Sequence, residues 1–91
     1  MYEKGKSFEK YVKKLLKRQG YLVIRAASSK PIDLVAIKDG KVILVECKFR
    51  NYLSPEDKEK LRKIAEITKI DILIATHENG KVVLKEFLID R

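Results

Sequence analysis

The sequence predicts an α/β domain in which a mixed β-sheet is flanked by helices, with elements in the order α-β-β-β-α-β-β. Two segments carry apolar residues at helical spacing, and five short segments are rich in β-branched residues. The second helix crosses between the third and fourth strands, which makes a mixed sheet covered by helices the economical arrangement. At 91 residues, the chain is expected to form one domain, residues 1–91.

The first helix is predicted over about residues 3–19. Its end is predicted at Gly20. Glu9 falls at the border of the apolar stripe, so its side chain can reach over the edge of the sheet. The alternative for Glu9 is a pair with Lys13 one turn later, worth about 0.2–0.5 kcal/mol. The apolar stripe itself consists of Phe8, Tyr11, Val12, Leu15 and Leu16.

A first strand is predicted over residues 21–26, and residues 27–31 form a polar connection into the next strand. This connection brings Ser28 and Ser29 beside Asp33. Loop serines commonly satisfy backbone groups of the turn itself, and that alternative stays open for both residues.

A hairpin is predicted next, formed by apolar, β-branched segments at residues 32–37 and 42–48. The intervening Asp39-Gly40 pair is typical of a two-residue type I′ turn. Counting back from this turn along both strands places Asp33 directly opposite Glu46.

The two opposed acids indicate a chemical function. Directly opposed residues have Cβ atoms roughly 4.5–5.5 Å apart, and like charges there repel unless a cation bridges them. Because strand side chains alternate, Lys48 shares the face of the two acids, while Cys47 points the other way as a small core residue.

Carboxylate pairs suit hard divalent cations, magnesium in particular. The pattern therefore indicates a metal-dependent phosphodiesterase, in which Lys48 orients the attacking water or offsets charge on the phosphate. The alternative is a pair of solvated strand ends in which Lys48 neutralises Glu46.

The second helix is predicted to begin at Ser54-Pro55, an N-cap followed by proline at the first helical position. Acids follow in its first turn, and its inner face is predicted to consist of Leu61, Ile64, Ala65 and Thr68. Strands at residues 71–76 and 81–88 surround His77-Glu78-Asn79-Gly80, in which Asn79-Gly80 is predicted to form the turn. His77 is predicted to be a surface residue at this turn.

The formal charge of +8 comes from 21 Lys and Arg against 13 Asp and Glu. The excess lies in the first helical segment, whereas residues 54–68 are balanced. A basic face beside a carboxylate site indicates contacts with nucleic-acid phosphates. The alternative is a solvated helix face. The basic residues of the first segment are Lys4, Lys6, Lys10, Lys13, Lys14, Lys17 and Arg18.

Other functions are not indicated. No apolar run approaches the roughly 18 residues of a membrane span, and the first six residues lack the features of a secretory signal. One cysteine cannot form an internal disulfide. We expect a cytoplasmic, intracellular, nucleoid-associated protein without a membrane partner. Zinc-type Cys/His spacing and a phosphate-loop glycine pattern are absent from the sequence.

One combination of residues resembles a known family. It comprises Tyr2, Lys4-Gly5, Glu9, Leu15-Leu16, Gly20, Val23, Arg25, Ser29-Lys30, Asp33-Leu34-Val35-Ala36, Glu46 and Lys48. With these residues the chain resembles the archaeal Holliday junction resolvases of the restriction-endonuclease-like, PD-(D/E)xK nuclease superfamily. The resemblance implies an endonuclease that uses Mg²⁺, with Mn²⁺ as a substitute. It also implies a homodimer that binds four-way junction DNA and cuts two opposing strands, leaving 5′-phosphates.

The resemblance also assigns roles to individual residues. Glu9, Asp33 and Glu46 match the acidic site, and Lys48 matches the active-site lysine. Ser29 matches a loop serine linked to activity. We expect Asp33, Glu46 and the main-chain carbonyl of Cys47 to hold the metal, with Glu9 as a ligand directly or through water. The expected DNA contacts are Lys4, Lys6, Lys10, Arg25, Lys30 and Arg50.

Two departures from the family pattern matter. Lys10 stands where the pattern has arginine, which keeps the charge but loses bidentate phosphate binding. Beyond Lys48 the chain is shorter than typical members and lacks the aromatic residues of the second helix that help form some family dimers. Two alternatives therefore remain: a nuclease of this superfamily that acts on linear, flapped or damaged DNA, and a non-catalytic basic DNA-binding module.

Overall fold

The computed structural model describes residues 6–26 and 32–88, and all seven predicted elements form within these ranges. The predicted order α-β-β-β-α-β-β is confirmed. The elements are α1 (Lys6–Arg18), β1 (Leu22–Arg25), β2 (Leu34–Lys38), β3 (Lys41–Cys47), α2 (Pro55–Thr68), β4 (Asp71–Glu78) and β5 (Lys81–Glu86).

The five strands form one sheet in the order β1-β2-β3-β4-β5. β3 and β4 are parallel because α2 crosses between them, and the other neighbouring pairs are antiparallel. The mixed sheet that the sequence predicts is therefore confirmed.

Each helix packs on one face of the sheet. The stripe of α1 is buried at Phe8, Val12 and Leu16, together with inward side chains from the first four strands. On the opposite face, Leu61 and Ala65 of α2 pack against β3 and β4. The adjacent β3 residues Leu44 and Val45 thus pack into the cores on opposite faces of the sheet, as expected from the alternation of strand side chains.

Both predicted helix boundaries have a structural cause. Gly20 adopts a φ of +98° directly after α1, where the Lys38 ammonium donates to the Gln19 carbonyl at 2.8 Å. At the start of α2, Ser54 is the N-cap, and its hydroxyl oxygen accepts from the Asp57 N–H at 3.0 Å. Pro55 occupies the first helical position, where its missing N–H costs nothing.

The first hairpin has the predicted register. Asp39 and Gly40 form its turn with φ values of 52° and 78°, and both signs fit a type I′ turn. The ladder above the turn pairs Lys38 with Lys41 and ends at Leu34 opposite Val45. The regular pairing stops there, because Asp33 donates its N–H to the Val45 carbonyl at 3.2 Å. The direct opposition of Asp33 and Glu46 therefore stays a prediction.

The second hairpin has the predicted Asn79-Gly80 turn, but its first strand is longer than predicted. β4 extends to Glu78, which pairs with Lys81, so the turn contains only Asn79 and Gly80. The prediction that His77 is a surface residue at the turn is therefore wrong. His77 is a half-buried strand residue on the α1 side, and its ring stacks on Phe49 with centroids 4.9 Å apart. The backbone N–H of His77 donates to the Phe49 carbonyl, which continues the β3–β4 pairing beyond the end of β3.

One inner-face assignment in α2 also differs. Thr68 is exposed, and its hydroxyl donates to the Ile64 carbonyl at 2.8 Å. A hydroxyl of this type bonds readily to the preceding turn of its own helix, so Thr68 ends the helix rather than contributing to the core.

Candidate active site

Asp33 is held at the point where β2 begins. Its N–H donates to the Val45 carbonyl at 3.2 Å, and its carbonyl accepts from Ala26 at 2.9 Å. Its carboxylate Oδ2 accepts from the Cys47 N–H at 2.8 Å. Backbone and side chain together therefore hold the Asp33 carboxylate against the last residue of β3.

The strand geometry explains why the Cys47 N–H reaches Asp33. The next residue, Lys48, donates its N–H to Ala75 of β4 at 2.8 Å. Successive residues of a strand direct their backbone polar groups to opposite sides, so the Cys47 N–H points away from β4 toward β2. The regular β2 ladder ends at Leu34, and the side chain of Asp33 takes the place of a ladder bond.

Glu46 is the buried acid of the site, with 5% of its surface exposed. Its neighbour in the chain, Val45, faces the α1 core, so Glu46 faces the α2 side. A carboxylate at this depth stays charged only with favourable partners. Lys48, two residues along the same face, places its ammonium 3.9 Å from Glu46 Oε2.

Lys48 has a second carboxylate partner, which sequence reasoning missed. Its ammonium donates to Asp57 Oδ2 at 3.0 Å. This hydrogen bond is the main cause that holds the pKa of Asp57 below its ordinary value, and partial burial opposes it. The sequence identifies Asp57 only as an acid in the first turn of α2. Its approach to Lys48 depends on how α2 lies over the sheet, which has no local sequence signal.

Glu9 lies on α1 and pairs with β1. Its Oε2 accepts from Arg25 Nε at 3.1 Å, and the Glu9 side chain is largely buried while that of Arg25 is half exposed. This pair lies in a pocket lined also by Lys10 and Lys13. Basic groups therefore surround Glu9. The Arg25 guanidinium pairs with Glu9, while about half of the Arg25 side chain stays exposed to solvent.

The acids do not form a large cluster. Over residues 6–26 and 32–88, no group of three or more His, Cys, Asp or Glu side chains is arranged to hold a metal ion. The donor set of Asp33 and Glu46 nevertheless fits magnesium, which commonly uses one or two protein carboxylates and completes its shell with water. Of the predicted chemistry, the structure shows the Lys48 ammonium 3.9 Å from Glu46 and the Asp33 carboxylate bound to the neighbouring Cys47 N–H.

Cys47 can offer a metal only its backbone oxygen. Its side chain packs against the core under α1, as predicted for a small core residue. Its carbonyl leaves the strand on the same side as its N–H, which is the side of Asp33.

The predicted DNA contacts are only partly described. Lys10, Arg25 and Arg50 are exposed. Lys4, Ser28, Ser29 and Lys30 lie outside the described residues, and for Lys6 only the backbone at the start of α1 is described. Neither described helix has the length and apolar character that a membrane crossing requires.

The fold and the site together define a class of protein. A mixed five-stranded sheet with one helix on each face, in the order α-β-β-β-α-β-β, has the restriction-endonuclease-like architecture that the sequence predicts. The chain belongs to the archaeal Holliday junction resolvase (Hjc) family, whose model matches residues 1–91.

Individual relatives agree with this assignment. The crossover junction endodeoxyribonuclease Hjc of Methanocaldococcus jannaschii is 40% identical over 93 residues, which cover 97% of this chain and 70% of that protein. The protein of the same name from Sulfurisphaera tokodaii is 34% identical over 73 residues, which cover 68% of this chain and 51% of that protein. The chain is thus shorter than both relatives.

A solved structure supports the fold. The structure of Archaeoglobus fulgidus Hjc, a Holliday junction resolvase from an archaeal hyperthermophile, matches with a TM-score of 0.77 and 23% sequence identity. The match covers 93% of this chain and 74% of that one. The restriction-endonuclease-like fold expected from the sequence is therefore confirmed.

Proposed function

We propose that this protein is an endodeoxyribonuclease that resolves four-way DNA junctions by hydrolysing phosphodiester bonds in opposing strands. Family membership and relatives named crossover junction endodeoxyribonucleases support this function. The observation that carries it is that the Asp33 carboxylate accepts at 2.8 Å from the N–H of Cys47, the residue that follows the buried Glu46 in β3. A sequence optimised for stability alone would avoid the opposed carboxylates that the hairpin predicts.

Asp33, Glu46 and the Cys47 carbonyl would hold the divalent ion, which we propose is Mg²⁺, with Mn²⁺ as a substitute. Glu9 would support it directly or through water. When bound, such an ion polarises the phosphoryl group and lowers the pKa of a water molecule.

Lys48 acts on the reacting phosphate in this proposal. Its ammonium, 3.9 Å from Glu46 Oε2, can orient the attacking water and offset the charge that develops on the phosphate oxygens. The oxygen of the water forms a bond to phosphorus, and the bond from phosphorus to the 3′ oxygen breaks. The water gives up a proton, and the leaving 3′ oxygen takes one up, so the products are a 5′-phosphate and a 3′-hydroxyl.

The basic residues would bind the DNA backbone. Lys10 and Arg25 line one pocket on the α1 side, and Arg50 follows the catalytic strand. We assign Lys4, Lys6 and Lys30 to the same role and Ser29 to the active site. Such contacts position the substrate and carry little sequence information.

We also propose that the protein acts as a homodimer, because two sites related by a twofold axis match two opposing strands of a junction. Leu22 and Ile24 of β1 support this, since they are 62% and 48% exposed on the sheet face opposite α1. Sedimentation equilibrium should give twice the mass of one chain, and a single-chain mass at micromolar concentration would contradict the dimer. Acting on chromosomal junctions, the protein would work in the cytoplasm at the nucleoid.

Cleavage of a labelled synthetic four-way junction, compared with a matched linear duplex, tests the function. Wild-type protein should cut two opposing junction strands only with magnesium. Asp33→Ala and the isosteric Asp33→Asn should lose roughly 10³-fold or more in rate, since the metal contributes several kcal/mol to the transition state. Equal cutting of both substrates would favour a nuclease for linear, flapped or damaged DNA. Junction binding by wild type without any nicking would favour the non-catalytic DNA-binding module.

A further inference from the structure

The Lys48 ammonium has two carboxylate neighbours, and it lies closer to one of them than to the other. It is 3.9 Å from Glu46 Oε2, in the same strand segment, and 3.0 Å from Asp57 Oδ2, in α2. The shorter contact is a hydrogen bond, whereas the longer one is an ion pair without hydrogen-bond distance. Asp57 therefore determines where the ammonium lies.

Lys48 needs such a partner. A lysine ammonium sits on a flexible four-carbon stem and loses about 2 kcal/mol of rotamer entropy when it is held in one place. The Lys48 side chain is 29% exposed, so the surrounding protein leaves it room to move. Without a fixed acceptor, the ammonium would sample positions away from Glu46 and a bound phosphate.

Asp57 is well suited to fix it, because its own backbone is held. It is the third residue of α2, and its N–H donates to the Ser54 hydroxyl at 3.0 Å in the N-cap interaction. The carboxylate therefore projects from a capped helix start. Like an ordinary aspartate it is charged at neutral pH, and the hydrogen bond from Lys48 lowers its pKa further.

We infer that Asp57 is a positioning residue for the proposed cleavage reaction: it holds the Lys48 ammonium beside Glu46, ready to meet the attacking water and the phosphate. This inference rests on the proposed function. It extends the site from the central hairpin to the first turn of α2 and couples the start of that helix to catalysis.

Kinetics on four-way junctions test the inference. Asp57→Ala should lower kcat by roughly 10- to 100-fold, because misplacement of a catalytic group by about 1 Å costs up to 10² in rate. The Kd for the junction without divalent ions should stay within twofold, since Asp57 is not a DNA contact. Asp57→Asn retains a hydrogen-bond acceptor and should recover part of the lost rate.

Glu56→Ala is the matched control. Glu56 is exposed in the same turn of α2, so its removal changes the net charge and the helix dipole as Asp57→Ala does. The assays are run where thermal melting shows each variant folded. A kcat of Asp57→Ala within twofold of that of Glu56→Ala would overturn the inference.

A spectroscopic measurement tests, independently of activity, whether Asp57 holds the Lys48 ammonium in place. The ¹H–¹⁵N signal of the Lys48 ammonium, identified by its loss in Lys48→Arg, should be observable in wild type because hydrogen bonding slows its proton exchange. It should vanish in Asp57→Ala and persist in Glu56→Ala. An unchanged signal in Asp57→Ala would overturn the inference even with an active enzyme. Failure of wild type to cut junctions would instead overturn the proposed function, and the signal would still decide whether Asp57 holds Lys48.

Discussion

Asp33 has two separable roles at the residue scale. Its carboxylate oxygen accepts from the Cys47 N–H at 2.8 Å, which replaces a missing ladder bond. Its charge, beside that of Glu46, is the part that a divalent ion would use. The first role contributes to stability and the second belongs to the proposed cleavage reaction, so substitutions of different chemistry can distinguish them.

Asp33→Asn and Asp33→Ala should therefore differ in stability and agree in activity. Asparagine keeps an oxygen that can accept from Cys47 and removes the charge, so the free energy of unfolding should stay near that of wild type. Alanine leaves the partly buried Cys47 N–H without this acceptor and should cost about 1–3 kcal/mol. Urea denaturation and junction cleavage check both expectations. Equal stability of the two variants would contradict the structural role of the hydrogen bond.

Asp57 should make stability depend on pH in the acid range. Its hydrogen bond with Lys48 holds its pKa in the folded protein below the ordinary value of 3.8. Because the folded state binds this proton less tightly, the stabilisation is fully present above pH 3.8 and is lost as pH falls through the lowered folded pKa.

Asp57→Asn should accordingly be less stable than wild type by about 0.5–1 kcal/mol near neutral pH, the size of a partly solvated ion pair. The difference should shrink toward zero in strongly acidic buffer. Urea denaturation across the acid range measures it. A difference that grows as pH falls would contradict the sign of the pKa change.

Sequence reasoning succeeded at residues whose position follows from local geometry. The turn at Asp39-Gly40 determines the register, which holds from Lys38 opposite Lys41 to Leu34 opposite Val45. The Asp33 carboxylate then accepts from the Cys47 N–H at the end of β3. It failed at Asp57 and His77, whose partners are Lys48 and Phe49. Those contacts depend on how α2 and the β3–β4 connection pack, which no spacing within one element reveals.

At the scale of elements, the first hairpin is the part that positions the acids. Gly40 has a φ of +78° with open space around the position of a Cβ, so a side chain there is strained by the backbone alone. Gly80 in the second hairpin has a φ of +76° and equally open surroundings.

Gly40→Ala should lower the free energy of unfolding by about 1–2 kcal/mol, the cost of a left-handed backbone for a residue with a Cβ. Gly80→Ala is the matched control and should cost the same. Cleavage per folded molecule should be unchanged in both, because side-chain alternation keeps the register of β2 and β3. Loss of activity in folded Gly40→Ala alone would show that the turn controls the site beyond register.

Element types were predictable, but some boundaries were not. The helical spacing of apolar residues predicted both helices, and the Ser54-Pro55 pattern predicted the observed start of α2. The strand before the second turn was predicted to end at Thr76, but pairing of Glu78 with Lys81 extends β4 through residues of weak strand propensity.

At the scale of the whole molecule, the charge of +8 is distributed unevenly. The sequence predicted this bias toward the first segment, and the structure brings Lys10, Lys13 and Arg25 around one pocket. The packing of α2 over the sheet could not be predicted, since it arises only when the five strands and both helices are assembled.

Junction binding should consequently depend steeply on salt. Lys10→Ala should weaken binding and reduce the slope of log K against log salt by about 1, as expected for one lost phosphate contact. Lys60→Ala, on the charge-balanced α2, is the control and should leave the slope unchanged. Fluorescence anisotropy with labelled junction across a salt series checks this. Equal slopes of log K against log salt for wild type and Lys10→Ala would show that Lys10 does not contact the DNA backbone.

The central claim is that the fold brings Asp33 and Glu46 together to capture a divalent ion. Titration of the folded protein with Mn²⁺, followed by electron paramagnetic resonance of the free ion, tests it without DNA or catalysis. Wild type should bind one or two ions. Asp33→Asn and Glu46→Gln should each weaken binding by roughly tenfold or more, about 1.4 kcal/mol, while Glu56→Gln should bind as wild type does. Wild-type binding no tighter than that of the Asp33→Asn, Glu46→Gln double variant would contradict the claim.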